Sequence, residues 1–109
     1  PNFTAYVPLA TGRISEKLAK GALFDFANFI SNNPFWNDQI DQIYINEHNE
    51  VQLIPRVGDH LIVLGNFDRY EQKLEKLRKF YLFGLNETSW NIYSKIDLSF
   101  KDQVVCTRR

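Results

Sequence analysis

Apolar residues recur every three or four positions in two stretches of the chain, which predicts two amphipathic helices. The first spans residues 15–32, with Ser15 as its N-cap and Asn-Asn-Pro at 32–34 as its stop. Its apolar stripe comprises Leu18, Ala22, Phe26, Phe29 and Ile30. Phe35 and Trp36 follow in a predicted loop that covers the core. The second helix opens at Asp68, which forms a capping-box-like pair with Glu71. Its stripe comprises Tyr70, Leu74, Leu77 and Tyr81.

Short runs of β-favouring residues bounded by turn residues predict strands elsewhere. Residues 1–13 are expected to form an extended arm or edge strand. Residues 40–47, 51–55 and 60–64 are joined by short turns, which predicts an antiparallel meander. In the first of these, alternation assigns Ile43 and Ile45 to one face and Ile40 and Tyr44 to the other.

The last sixteen residues predict a C-terminal hairpin. Ile96, Leu98 and Phe100 alternate with polar residues, residues 101–103 suit a turn, and residues 104–107 resume a β-favouring run. The chain is therefore predicted to be a single α+β domain. Two helices pack on a mostly antiparallel sheet of five or six strands that ends in this hairpin.

Composition narrows the function classes. Apolar residues make up 44% of the 109 residues, which is enough for a packed core. Thirteen basic and thirteen acidic residues leave no net charge, so nucleic acid is a poor partner. No apolar run approaches the roughly 18 residues that a membrane span needs. The chain starts with Pro and contains no Met, so we expect it to be a piece of a longer protein.

The residues do not favour catalysis, a metal or a cofactor. The two histidines, His48 and His60, lie at no spacing that would build a triad, and a solvated or cap-forming role explains both better. Cys106 is the single cysteine, which excludes an internal disulfide and a cysteine-rich zinc site. No glycine-rich phosphate loop is present.

An interaction module remains as the favoured class. The final strand of the hairpin has one partner in its own hairpin, and its other side is open to another chain. Two alternatives stay open: an assembly module that uses the same edge for homodimers, and a small ligand-binding domain.

Four segments, in order, resemble the extracytoplasmic domain of the bacterial cell-division family FtsQ/DivIB. They are VPLATG at 7–12, the helix at 15–32 with IDQIYINEHNEVQLIP at 40–55, LIVLGNFDRYEQKLEKLRKFY at 61–81, and IDLSFKDQVVCTRR at 96–109. Together they cover nearly the whole chain, and their details are similar to Bacteroidetes versions. None is a catalytic signature.

The resemblance implies a non-enzymatic scaffold without a cofactor that regulates septum formation. Residues 1–109 would be one β domain, with 1–13 leading in from a missing upstream POTRA domain. The whole protein would cross the inner membrane once and hold this domain in the periplasm. Its partners would be FtsB–FtsL-type division proteins, docked by adding a strand to the C-terminal strand.

Carried over by position, the docking strand is at 103–107. The partner-binding residues are Phe100, Lys101, Asp102, Gln103, Val104, Val105, Cys106 and Thr107. Ser99 stands where many members have Arg, and Phe100 where the family often has Tyr, so individual contacts differ. We expect Val105→Pro to abolish partner binding and leave the domain folded.

Overall fold

The computed structural model describes residues 8–84 and 92–109. Within them, six strands and four α-helices follow the order β1 (Leu9–Gly12), α1 (Glu16–Lys20), α2 (Ala22–Asn32), α3 (Pro34–Gln39), β2 (Ile40–Ile45), β3 (Val51–Pro55), β4 (Leu61–Gly65), α4 (Tyr70–Lys79), β5 (Tyr93–Asp97) and β6 (Val105–Arg108). A π-helical segment, Phe80–Gly84, continues α4. The predicted pattern in residues 1–7 and the predicted connection at 86–91 with Trp90 lie outside the described residues.

The six strands form one sheet whose spatial order follows the chain, from β1 to β6. The β2–β3, β3–β4 and β5–β6 pairs are antiparallel, whereas β1–β2 and β4–β5 are parallel. The α+β class, the meander and the terminal hairpin are thus confirmed.

The two parallel pairs explain why the fold has two layers. β1 and β4 point the same way, and both crossovers step in the same direction across the sheet. Two right-handed crossovers place their helices on the same face of a sheet when their first strands are parallel and both connections move in the same direction across the sheet. One hydrophobic core accordingly joins α2, α3 and α4 to the strands. Its fully buried side chains include Phe26, Ile30, Ile43, Leu53, Ile62, Leu74, Leu77, Ile96 and Leu98.

The first predicted helix is broken rather than continuous. Ser15 caps α1 by accepting a hydrogen bond from the Leu18 N–H, as predicted. Gly21 then takes φ −111° and ψ −110°, outside the helical region, so α2 starts afresh at Ala22. The predicted loop at Phe35 and Trp36 is also wrong, because Pro34 at the first turn and the Asn33 cap start α3 there. Trp36 is buried.

Two further predictions, the N-cap of α4 and the face of Ile40, are wrong because of the local backbone conformation. Asp68 does not cap α4; Arg69, in the left-handed region at φ 55°, occupies the N-cap without a side-chain hydrogen bond. In β2, Ile40 faces the core together with Ile43 and Ile45, because a bulge between Ile40 and Gln42 shifts the alternation by one residue. Strict alternation of side chains along β2 therefore wrongly predicts that Ile40 lies on the face opposite Ile43 and Ile45.

Candidate functional site

The C-terminal hairpin lies at one edge of the sheet. β6 pairs with β5 in the register Lys95↔Thr107, Ile96↔Cys106 and Asp97↔Val105. Ile96 and Leu98 are buried as predicted, but Phe100 lies past the end of β5 and is 50% exposed. Its alternation with Leu98 therefore does not place it on the core face. Phe100 lies in the connection between the strands instead.

The structure separates the partner-binding residues expected from the sequence into two groups. Phe100, Lys101, Asp102 and Gln103 are exposed in the connection before β6. Val104 and Cys106 pack partly against the core, whereas Val105 is 41% exposed and Thr107 is exposed. All eight lie in one continuous segment at the sheet edge. β6 extends to Arg108, one residue beyond the predicted docking strand.

The direction of the backbone donors in β6 follows from its last hydrogen bond. The Arg109 N–H donates to the Ile92 carbonyl at 3.0 Å, towards β5. Successive N–H groups of a strand alternate between its two sides, so those of Thr107 and Val105 also face β5. The N–H groups of Cys106 and Arg108 face away from β5, on the side where residues 8–84 and 92–109 place no further strand. The Val105→Pro variant would therefore break the hairpin itself, and Cys106 is the position that tests the open edge.

The two edge strands of the sheet differ in how well they could accept another strand. β1 follows Pro8, which has no N–H, and ends at Gly12 with φ 102°. Proline beside an edge strand is a common way of blocking further pairing. β6 contains no proline and carries Val105 and Thr107, whose β-branched side chains favour strands. β6 is thus the better acceptor of the two.

Exposed apolar side chains lie beside β6. Phe80 and Phe83, from the π-helical segment, line a groove of about 420 Å³ together with Val104 at the approach to β6. Phe83 is 84% exposed. The sequence analysis missed Phe83 and Leu82, although the signal was present: both are apolar residues outside the helical stripe of Leu74, Leu77 and Tyr81. Phe83 extends the candidate surface beyond the hairpin.

The thiol of Cys106 is not activated. Burial raises the pKa of the Cys106 thiol, which disfavours the reactive thiolate. Within the described ranges, no group of three or more His, Cys, Asp or Glu residues could hold a metal ion.

The two histidines differ in environment. His48 lies exposed in the turn between β2 and β3, in keeping with a solvated role. His60 is buried, contrary to expectation, and its Nε2 is 2.9 Å from the Tyr81 hydroxyl. Burial lowers the pKa of His60, as does the nearby charge of Arg109, while Asp59 opposes them. Burial also raises the pKa of Tyr81. Both side chains are therefore neutral members of the core at physiological pH.

The burial of His60 predicts that the domain loses stability on mild acidification. An unfolded histidine titrates near its ordinary pKa of 6.5, whereas folded His60 titrates lower, so the unfolded state binds more protons between these values. Stability is retained above 6.5 and falls as the pH drops towards the folded pKa. We expect the melting temperature to fall between pH 7.5 and 5.5, and His60→Gln to reduce that fall. His48→Gln is the matched control. An unchanged pH dependence in His60→Gln would contradict the assignment.

A cavity of about 500 Å³ lies between α1, the start of α2, the end of β2, the start of β3 and the connection that precedes α4. Its wall is mostly apolar and includes Leu18, Ala22, Ile45, Val51 and Phe67. Polar groups at its rim bind the protein itself. Arg13 donates to the Glu47 carbonyl, and the Asn66 side-chain oxygen accepts from Lys73. Arg13 and Asn66 are thus engaged within the protein, whereas a specific small-molecule site holds a few polar groups that converge on the ligand.

Comparison with known proteins identifies the family. The family model described as "FtsQ/DivIB, C-terminal related" matches residues 1–107, nearly the whole chain. The chain belongs to this family. A comparison with curated proteins finds no match. The resemblance noted in the sequence is thus confirmed at the level of the family.

FtsQ/DivIB proteins are non-enzymatic, membrane-anchored scaffolds of bacterial cell division with a periplasmic domain, so membership supports a role in cell division. Among residues 8–84 and 92–109, no helix has the length and apolar character needed to span a membrane.

Proposed function

We propose that this domain is a non-enzymatic scaffold of the bacterial divisome that binds an FtsB–FtsL-type partner by strand addition along β6. The observation that carries the proposal is the position of β6 at the end of the sheet, with the Cys106 and Arg108 N–H groups directed away from β5. A partner strand would extend the sheet by pairing with these groups. Backbone pairing supplies affinity in this mode, and adjacent side-chain pockets supply register.

The surroundings of β6 support a partner with an apolar component. Val105, Phe100 and Phe83 are exposed on the hairpin and beside it, where a monomer gains nothing from their exposure. Val104 and Cys106 pack against the core, and these contacts hold β6 in place. In this proposal residues 1–109 form one β domain that follows a POTRA domain and a membrane helix, and the domain lies in the periplasm.

The test replaces one outward donor. Cys106→Pro removes one of the two outward N–H groups of β6 and places a proline ring on the same side, while proline remains compatible with an edge strand. Cys106→Ala is the matched control, because it also removes the thiol but keeps the N–H. We expect Cys106→Pro to weaken binding of the FtsB–FtsL-type pair from the same organism at least about tenfold, the cost of a lost hydrogen bond and a clash.

Affinity is measured by calorimetry, and the site by backbone amide shifts of the wild-type domain during titration. Shifts concentrated in residues 100–108 and a loss specific to Cys106→Pro support strand addition. Equal affinities for the two variants would rule it out. Sedimentation of the domain alone addresses the homodimer alternative: a wild-type dimer that Cys106→Pro converts to monomer would assign the same edge to self-association.

A further inference from the structure

Lys76 links the helical layer to the hairpin through the connection between β5 and β6. This residue lies in the last turns of α4, and its Nζ donates to the backbone carbonyls of Leu98 at 3.0 Å and Gln103 at 2.9 Å. It also donates to the carbonyl of Phe100. An ammonium group has three N–H donors and no acceptor, so these three carbonyls satisfy it completely.

The middle of the connection is exposed, whereas its two ends have other contacts: Leu98 is buried and donates its N–H to the Val63 carbonyl, and Val104 packs partly against the core. Phe100, Lys101, Asp102 and Gln103 are all exposed, so apolar burial does not order them. Asp102 has φ 59°, a conformation that an aspartate tolerates but does not strongly favour. At the β5 end, the Asp97 carboxylate accepts from the Ser99 N–H at 2.9 Å and the Ser99 hydroxyl at 2.6 Å. Those two local hydrogen bonds hold the start of the connection, and Lys76 contacts its later part.

We infer that Lys76 is a positioning residue for partner docking: its ammonium fixes residues 98–103 so that β6 is presented in the conformation that accepts a strand. The inference rests on the proposed function of β6. The three carbonyls span the connection from the residue after β5 to the second residue before β6, so one side chain restrains both ends. Hydrogen bonds from a charged donor are stronger than neutral ones. A binding edge that is ordered in advance loses less conformational entropy when its partner docks.

Lys73 provides a matched control on the same helix. It lies three residues before Lys76, but its Nζ donates to the backbone carbonyl and the side-chain oxygen of Asn66, each at 3.0 Å. Asn66 belongs to the connection between β4 and α4, not to the hairpin. Lys73→Met and Lys76→Met therefore remove the same charge and the same number of donors from one helix, and only the second releases the 98–103 connection.

The experiment measures amide exchange in the free domain and affinity for the FtsB–FtsL-type pair. We expect Lys76→Met to speed amide exchange at Ser99 and Val105 about tenfold. Exchange in β2 and β3 should not change, because only the connection between β5 and β6 opens. Partner affinity should fall about tenfold as well. Lys73→Met should change neither quantity. Lys76→Arg keeps the charge but replaces the compact ammonium with a planar fork, so it should restore binding only in part.

Unchanged exchange at Ser99 and Val105 in Lys76→Met would overturn the inference, as would faster exchange with wild-type affinity. Wild-type affinity in Lys76→Arg together with fast exchange would show that only the charge matters, and would also overturn it. A wild-type domain that binds no partner at β6 would instead defeat the proposed function. The exchange measurement would then still decide, by itself, whether Lys76 orders the connection.

Discussion

Phe26→Ala is expected to destabilise the domain by about 3–5 kcal/mol, the usual cost of truncating a fully buried aromatic residue. Phe26 has no exposed surface, and its ring centroid is 5.3 Å from that of Phe67 and 5.1 Å from that of Tyr70. These contacts join α2 to the connection before α4 and to the first turn of α4. Because small domains are stable by only about 5–15 kcal/mol, the loss is a large share of the total.

Urea unfolding followed by tryptophan fluorescence measures this effect, since Trp36 is buried and reports on the core. Phe24→Ala is the matched control: it lies on the same helix, is 55% exposed, and should cost less than about 1 kcal/mol. If Phe26→Ala fails to fold, Phe26→Leu keeps most of the volume and should cost about 1–2 kcal/mol. Similar losses for Phe24→Ala and Phe26→Ala would contradict the position assigned to α2.

Gly12→Ala is expected to cost at least about 2 kcal/mol, because it combines backbone strain with a backbone clash. Gly12 has φ 102°, and a Cβ at this position would lie 2.0 Å from the carbonyl oxygen of Ile45, its partner in the β1–β2 register. That oxygen also accepts a hydrogen bond from the Arg13 N–H at 2.8 Å. The substitution therefore forces β1 away from β2 at the point where the chain enters α1.

Urea unfolding measures the cost, and amide exchange in β1 and β2 shows where the sheet opens. Gly65→Ala is the comparison, because Gly65 has a similar φ of 87° but its Cβ would lie 2.9 Å from the Ser99 Cβ, a smaller overlap than the one at Gly12. Backbone strain and this smaller overlap should together cost about 1–2 kcal/mol, less than Gly12→Ala. An equal loss in the two variants would mean that the clash with the Ile45 carbonyl does not form.

Much of the candidate site is readable from the sequence because it depends on local patterns. The turn residues at 101–103 between two β-favouring runs predicted the hairpin, and its position at the chain end pointed to an edge strand. The sequence did not predict which backbone N–H groups of β6 face away from β5. Which N–H groups face outward depends on the pairing of β6 with β5, which the Arg109–Ile92 hydrogen bond reveals. The sequence pattern alone therefore does not distinguish Cys106 from Val105 as the position where proline tests the open edge.

The sequence also did not predict the polar contacts between residues that are distant along the chain. Lys76 belongs to an alternating charged run on α4, which is typical of a solvent-exposed helix face. Its acceptors are backbone carbonyls 22 to 27 residues away. Every residue has a backbone carbonyl, so the residue types in the sequence do not show which carbonyls accept. His60 shows the same limit, because its burial depends on Tyr81, 21 residues away on another element.

The sequence by itself determined the α+β class, the meander, the apolar stripe of the second predicted helix and the terminal hairpin, and it carried the resemblance to FtsQ/DivIB. Each of these depends on periodicity or turn chemistry within a few neighbouring residues. Only the tertiary structure decided the face of Ile40, the break at Gly21, the burial of His60 and the open donors of β6. Bulges, crossovers and strand pairing set these features, and they depend on backbone geometry between segments that are distant in sequence.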